Sequence, residues 1–120
     1  MNKWIKRILL GLAALLVIAQ LIPVDRSIPD NIDGMQDFIT MTKPRAELAT
    51  LMVDACYDCH SYKTKYPWYA KVAPVKFWIQ NHVVEGREHL NFSTWGSYEP
   101  KKADHKLEEC VEEMIVSNEN

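Results

Sequence analysis

The chain begins with a short basic segment followed by a long apolar run. Residues 8–24, ILLGLAALLVIAQLIPV, carry no charge, and Lys3, Lys6 and Arg7 precede them. A positive flank stays in the cytoplasm while an apolar helix enters the bilayer, so the pattern predicts a signal-anchor helix over 8–24 behind a cytoplasmic flank over 1–7. The run is near the lower limit for a span, and no small-x-small cleavage site follows it. A retained anchor is therefore favoured over a cleaved signal and over a buried core helix, which places the rest of the chain on the periplasmic side of an inner membrane.

The segment after the apolar run shows no sustained periodicity. Residues 25–43 contain Pro29, Gly34 and several Asp and Asn residues, which favour turns and loops over long helices. We interpret this segment as a spacer, in which Phe38 and Ile39 are expected to touch the folded part. The domain itself is predicted over residues 44–120.

Three amphipathic patterns within 44–120 predict three helices. The first has Thr42 as its cap, Pro44 in its first turn and Glu47 near its positive end, and it delivers Cys56 to its C-terminal end. Its apolar stripe is Leu48, Leu51, Met52 and Ala55. An aromatic-rich loop follows. The second helix starts at Pro74, with Val75, Trp78, Ile79, His82, Val83 and Leu90 near one face, and the third covers roughly 102–116, with Leu107, Cys110, Val111, Met114 and Ile115 as its apolar side. No alternating run predicts a strand, so the fold class is all-α.

Composition and charge narrow the classes of partner. The chain has 120 residues, 48% of them hydrophobic, which suits one small domain. The chain has 14 basic and 16 acidic residues, of which residues 1–26 contain four basic and one acidic. The remaining part therefore has 10 basic and 15 acidic residues and a net charge of −5. This acidic balance argues against nucleic acid, whose phosphates need a basic face, and against electrostatic binding to anionic lipid.

The stretch DACYDCHS, residues 54–61, carries two cysteines two residues apart and a histidine directly after them. A structural zinc site needs a second ligand pair, which Cys110, His82, His89 and His105 do not form at the usual spacing. A thioredoxin-like pair requires a helix N-terminus in a β-α-β setting, whereas this pair ends a helix. A plain disulfide between Cys56 and Cys59 is the remaining simple alternative.

Covalent haem attachment uses every residue of this motif. Both thiols add to the porphyrin vinyl groups, and the adjacent histidine then lies under the iron. Such attachment takes place outside the cytoplasm, which agrees with the predicted export of the chain. A domain of fewer than about 100 residues also has a limited core, which a covalently held porphyrin can extend. The motif therefore favours haem, with eight aromatic residues as expected packing partners: Tyr62, Tyr66, Trp68, Tyr69, Phe77, Trp78, Phe92 and Trp95.

Residues 56–95, CYDCHSYKTKYPWYAKVAPVKFWIQNHVVEGREHLNFSTW, resemble a small bacterial haem-binding domain family related to cytochrome c. The likeness rests on the CxxCH-Ser, Tyr-Pro-Trp-Tyr, His-Val, Gly-Arg and Leu-Asn-Phe-Ser-x-Trp motifs, and the preceding anchor and LIPVDRS resemble the family too. The resemblance implies a cytochrome c-like helical domain in which Cys56 and Cys59 bind haem c covalently and His60 is the proximal iron ligand. The sequence departs from the family pattern after the third helix. Members are expected to continue into a Gly-x-Met-Pro segment, whereas this sequence reads EEMIVSNEN.

The sixth iron ligand is therefore the open assignment. His82 is the first candidate, because we expect it on the apolar side of the second helix near Trp78, although histidines in such places are more often hydrogen-bonded core residues. Met114, water or a ligand from a partner are the alternatives. Arg87 is expected either to reach a haem propionate or to be solvated, and Cys110 is expected to be a buried small residue.

The function expected from these features is one-electron transfer by a membrane-anchored haem protein with redox partner proteins. The rival function is a haem-based sensor or ligand-binding module with an exchangeable sixth ligand. An enzyme is not expected, because the sequence offers no distal acid-base pair.

Overall fold

The computed structural model describes residues 2–119, and every regular element within them is helical. The α-helices are α1 (Lys3–Leu21), α2 (Phe38–Thr42), α3 (Ala46–Ala55), α4 (Tyr57–His60), α5 (Val75–His89) and α6 (Pro100–Asn118). Three short 3-10 helices lie between them: η1 (Gly34–Gln36), η2 (Trp68–Lys71) and η3 (Phe92–Ser97). The predicted all-α class is confirmed, since this part of the chain contains no strand.

Helix α1 is an apolar helix without a buried residue. Between residues 2 and 119 it is the one helix long and apolar enough to cross a membrane. Its 19 residues span about 28 Å, close to the roughly 30 Å of a hydrocarbon core. The helix starts before the predicted run and ends at Leu21, because Ile22 precedes Pro23 and the residue before a proline is pushed into the extended region.

The core is a cluster of five buried side chains from different parts of the chain: Phe38, Tyr57, Leu90, Phe92 and Trp95. The Phe38 ring meets the rings of Phe92 and Trp95 edge-on, at centroid distances of 5.3 and 4.9 Å. Tyr57 stacks on Phe92 at 5.4 Å. Such aromatic geometries add to the free energy gained from burial alone. The core thus joins α2, α4 and η3 directly beneath the cysteine motif.

The segment predicted as a spacer contributes to this core. Phe38 is buried and Ile39 packs against the cluster, as expected, but Asp37 is only 2% exposed. The Asp37 carboxylate accepts hydrogen bonds from the Ile39 amide (3.1 Å), the Tyr57 hydroxyl (3.0 Å) and the Lys63 ammonium (2.9 Å). Because a buried carboxylate needs such donors, these bonds fix α2 against the motif. The folded domain therefore begins before residue 44, where the sequence places its start.

Helix α3 differs from its prediction at its start. Thr42 does not cap it, because Thr42 ends α2 and its hydroxyl donates to the Phe38 carbonyl at 2.7 Å. The helix begins at Ala46, with Glu47 in its first turn as predicted. Of the predicted stripe, Met52 packs against the core, while Leu48 and Leu51 are exposed.

Helix α5 turns a different face to the protein than the apolar pattern suggests. Val83 and Leu90 are buried, but Trp78 and His82 are exposed, whereas Lys76 and Gln80 are buried. The two polar residues face inward because each has partners: Lys76 donates to carbonyls at the end of α1, and Gln80 accepts from the Tyr66 hydroxyl at 2.9 Å. Hydrogen bonding, which periodicity does not register, therefore sets the orientation of this helix.

Helix α6 starts with Pro100 at its first turn and packs through few residues. Ala103 and Cys110, seven positions apart and so on one face, contact the core cluster. The other residues of the predicted apolar side are exposed: Leu107, Val111, Met114 and Ile115. The helix thus carries an apolar face that the described protein does not cover.

Candidate functional site

The cysteine motif lies on a kinked helical segment. Cys56 ends α3, where its amide donates to the Met52 carbonyl at 2.9 Å, and α4 begins at the next residue. The amides of Cys59 and His60 both donate to the Cys56 carbonyl, at 3.3 and 2.9 Å. One helical turn therefore separates the two thiols, with Cys56 half-buried and Cys59 exposed, and both are free.

The His60 ring is held by the backbone of α5. Its Nδ1 lies 2.9 Å from the Gly86 carbonyl oxygen and 3.1 Å from that of Leu90. Because a carbonyl oxygen only accepts, Nδ1 carries a proton, and in the neutral ring the lone pair is then on Nε2, on the opposite side. A hydrogen bond from the second ring nitrogen is the usual way to orient a metal-binding histidine.

Gly86 lets α4 approach α5 closely enough for this bond. A Cβ at position 86 would lie 2.6 Å from the Cys59 carbonyl oxygen and 3.2 Å from its carbon. Side-chain carbons do not occur that close to backbone, so only glycine permits this contact. The same residue thus provides both the space for the motif and one acceptor for His60.

The electrostatics of the thiols do not resemble those of a redox pair. Burial, and to a smaller extent the neighbouring Cys59, raises the pKa of the Cys56 thiol. Burial, with Cys56 next in importance, also raises the pKa of Cys110. Catalytic cysteines of disulfide oxidoreductases have lowered pKa values instead. Among residues 2–119, no group of three His, Cys, Asp or Glu side chains is arranged to hold a metal ion.

Two helices near the motif expose apolar side chains. Cys56 at the end of α3 and Cys110 in the middle of α6 pack against the same core cluster. Helix α3 exposes Leu48 and Leu51, and α6 exposes a longer row: Leu107, Val111, Met114 and Ile115. Exposed apolar rows of this kind are typical of binding surfaces. Thiols, an oriented imidazole and apolar surface therefore occur together.

Comparison with protein-family models identifies the family of the chain. A family model described as a haem-binding domain matches residues 14–119, nearly the whole chain. The chain belongs to this haem-binding domain family. Comparisons with curated proteins and with solved structures gave no match.

The residues of this haem-binding domain fit a haem chemically. Two free thiols one turn apart suit the two vinyl groups of a porphyrin, and the Nε2 lone pair of His60 suits its iron. The apolar faces of α3 and α6 suit the largely apolar macrocycle. Cys56, Cys59 and His60 are thus the residues that would hold the group.

The side chains of His82 and His105 are exposed. His82 is half-exposed on α5, with its ring 4.6 Å from that of Trp78 and its Nδ1 3.9 Å from a Glu85 oxygen. The expectation that it faces an apolar interior is wrong, because Val83 and Gln80 point inward instead. His105 is exposed and pairs with Glu109 at 3.3 Å. Ligation of iron by His82 stays a prediction.

Arg87 anchors the loop that follows the motif. Its Nε donates to the Ser61 carbonyl at 2.8 Å, its terminal nitrogen donates to the Thr64 hydroxyl at 2.9 Å, and its guanidinium lies over the Tyr62 ring. Arg87 is therefore held by the protein rather than freely solvated, and its contact with a haem propionate stays a prediction. The fully buried Ser61 adds to the same anchor through a bond from its hydroxyl to the Tyr57 carbonyl.

The aromatic residues divide into two groups. Phe92 and Trp95 are buried in the core beneath the motif, and Tyr57, which the sequence did not single out, stacks with them. Trp68 and Trp78 are among the most exposed side chains, at 78% and 63%. The expectation of one aromatic set around the haem is thus too simple. The sequence reasoning also missed Asp37 and the role of Gly86, although an isolated glycine within a helical pattern is a recognised signal of close approach.

Proposed function

We propose that this haem-binding domain is a c-type haem protein, anchored in the inner membrane and facing the periplasm, that transfers single electrons. Cys56 and Cys59 form the thioether bonds, and His60 is the proximal iron ligand. When bound, the haem supplies the one-electron chemistry of its iron. The chain's residues hold it, orient it and keep water from one face, and no substrate bond is made or broken.

The position of His60 is the observation that carries this proposal. Its Nδ1 proton is fixed by two backbone carbonyls, so in the neutral imidazole Nε2 is the nitrogen that can bind a metal. A hydrogen bond to the ring also makes the imidazole a stronger donor to a metal. Carbonyls of α5 give this bond without a titratable partner, which suits a site whose ligand must stay the same in two oxidation states.

The membrane location is supported by α1. Its length matches a hydrocarbon core, and Lys3, Lys6 and Arg7 lie at its N-terminal end, the arrangement that keeps this end in the cytoplasm. The domain that follows then reaches the periplasm, where disulfides and thioether-bound haems form. Redox partners in or near the same membrane are the expected electron donors and acceptors.

A second candidate function follows from the exposed position of His82. Backbone carbonyls of Gly86 and Leu90 hold Nδ1 of His60, so Nε2 is the atom that would bind iron. The described contacts of the exposed His82 ring are with Trp78 and Glu85 rather than with His60. An open sixth position would favour a haem sensor that binds a small diatomic ligand.

The reduced absorption spectrum with and without carbon monoxide tests these functions. The full chain would be produced with a haem-ligation system and studied in mild detergent. A haem-coloured protein whose reduced spectrum does not change with carbon monoxide supports electron transfer, whereas an immediate large shift supports the sensor. Whichever function holds, His60→Ala should change the reduced spectrum. His105→Ala, which replaces an exposed histidine, should leave it unchanged. A colourless wild-type protein would contradict both.

A further inference from the structure

The end of α1 is bound directly to the folded domain. The Gln20 side chain donates to the Lys71 carbonyl and accepts from the Ala73 amide, each at 2.8 Å. The two backbone groups flank Val72, so this residue lies beside the last turn of α1. Because both the donor and the acceptor of the Gln20 amide bind the domain, the end of α1 is not followed by a free linker. The domain therefore has a fixed position at the end of the anchor.

A buried lysine strengthens this attachment. Lys76 is 5% exposed, and its ammonium donates to the carbonyls of Gln20 (2.8 Å) and Ile22 (2.7 Å). The last carbonyls of a helix lack internal partners and carry the negative end of the helix dipole, so a buried ammonium stabilises them. Arg26 adds a further bond to the Ala70 carbonyl and lies over the Tyr66 ring at 4.1 Å. Helix α1, η2 and the start of α5 thus form one connected unit.

An apolar patch lies on this unit at the same level. Trp68, Tyr69 and Val72 are 78%, 46% and 46% exposed, and we call them the interfacial patch. The Trp68 and Tyr69 rings contact each other edge-on at 5.6 Å. Ala70, between them and Val72, is fully buried toward Arg26, so η2 has an inner face and an outer one. The outer face is the patch.

We propose that the interfacial patch inserts into the phospholipid headgroup region of the membrane that α1 crosses. Tryptophan and tyrosine prefer this depth, because their rings are apolar while their N–H and O–H groups need water. The end of α1 lies at the membrane boundary, and Val72 is held beside it by Gln20. The acidic domain makes charge attraction an unsuitable force, so the patch binds through its aromatic surface and is insensitive to salt. The haem site is then held at one orientation to the bilayer.

This proposal rests on the membrane anchor in the proposed function, and the test separates the two. The haem-loaded full chain is placed in phosphatidylcholine vesicles containing a phosphatidylcholine with a photoreactive group at the top of its acyl chain. After illumination, tryptic peptides that carry lipid are identified by mass spectrometry. Residues 66–71 contain Trp68 and Tyr69, residues 8–26 report on α1, and residues 77–87 contain Trp78, which is also exposed and serves as an internal control.

Labelling of 8–26 and 66–71, but not of 77–87, at both low and high salt is the expected result. The triple variant Trp68→Ser, Tyr69→Ser, Val72→Ser should lose the label on 66–71 and keep it on 8–26, and Trp78→Ser should change neither. If residues 8–26 carry the label and residues 66–71 do not, insertion of the interfacial patch is refuted while the membrane anchor is retained. Absence of label on 8–26 would overturn the anchor and the patch together, and a label on 66–71 that disappears at high salt would contradict the aromatic mechanism.

Discussion

Replacing Gly86 by alanine tests whether the cysteine motif is held as the structure describes. A Cβ there would lie 2.6 Å from the Cys59 carbonyl oxygen, whereas ordinary contact begins at 3.4 Å, so α4 and α5 must separate by the difference of about 0.8 Å. Overpacking of this kind costs about 1–3 kcal/mol. The helix preference of alanine over glycine offsets about 1 kcal/mol of that.

The same separation weakens the bond that orients His60. If the helices move apart along it, the Nδ1 to Gly86 oxygen distance grows from 2.9 Å to about 3.7 Å, beyond hydrogen-bond length. A lost bond of this type costs about 0.5–1.5 kcal/mol. Together the free energy of unfolding of Gly86→Ala should fall by about 2 kcal/mol. The imidazole should also become a weaker donor, so the reduction potential should rise.

Urea unfolding of the haem-loaded protein, followed by far-ultraviolet circular dichroism, measures the first effect, and a redox titration measures the second. Gly34→Ala is the matched control, because a Cβ at position 34 meets nothing within 4 Å. If Gly86→Ala and Gly34→Ala unfold within about 0.5 kcal/mol of each other, and both keep the wild-type potential, the described contact between α4 and α5 does not exist.

Three further predictions concern the core and the iron. Asp37→Asn should lower the free energy of unfolding by about 1–3 kcal/mol, because it removes the charge that three donors share. Lys63→Ala, whose side chain is 61% exposed, should cost under about 1 kcal/mol in the same urea titration. Burial, and then the hydrogen bond to Asp37, raises the pKa of Tyr57 above its ordinary value. The Tyr57 contribution to stability should therefore be complete below about pH 10 and be lost as the pH rises further, and Tyr57→Phe should abolish this loss in a pH series of thermal unfolding. His82→Ala tests the predicted sixth ligand: an iron that newly binds carbon monoxide would identify His82 as that ligand, and an unchanged reduced spectrum and carbon monoxide response would exclude it.

Periodicity and breaker residues were enough to predict the helical class and the approximate positions of α1, α3, α5 and α6. They work because the positions of Pro44, Pro74 and Pro100 limit where helices start, whatever the tertiary contacts. Which face of α5 is buried could not be predicted in this way. Lys76 and Gln80 are buried by hydrogen bonds to residues distant in sequence, and an apolar pattern contains no information about such partners.

The sequence predicted the chemical groups of the candidate site but not the residues that position them. Cys56, Cys59 and His60 are adjacent in sequence, so one helical turn brings their side chains together. The groups that position them are distant in sequence: Gly86 and Leu90 act through backbone carbonyls, which any residue type has. Asp37 lies in a segment whose composition resembles a loop. Contacts made by backbone carbonyls and short helices such as α2 can therefore be identified only in the structure.

Intact-mass and peptide analysis of the purified protein tests the central claim most directly. The full chain would be exported in a host with a haem-ligation system, digested with trypsin and analysed without a disulfide-reducing agent. We predict that the peptide containing Cys56 and Cys59 is heavier by one haem, and that Cys110 remains a free thiol in the same sample. Recovery of the motif peptide with two unmodified thiols, or with a Cys56–Cys59 disulfide and no haem, would contradict the account.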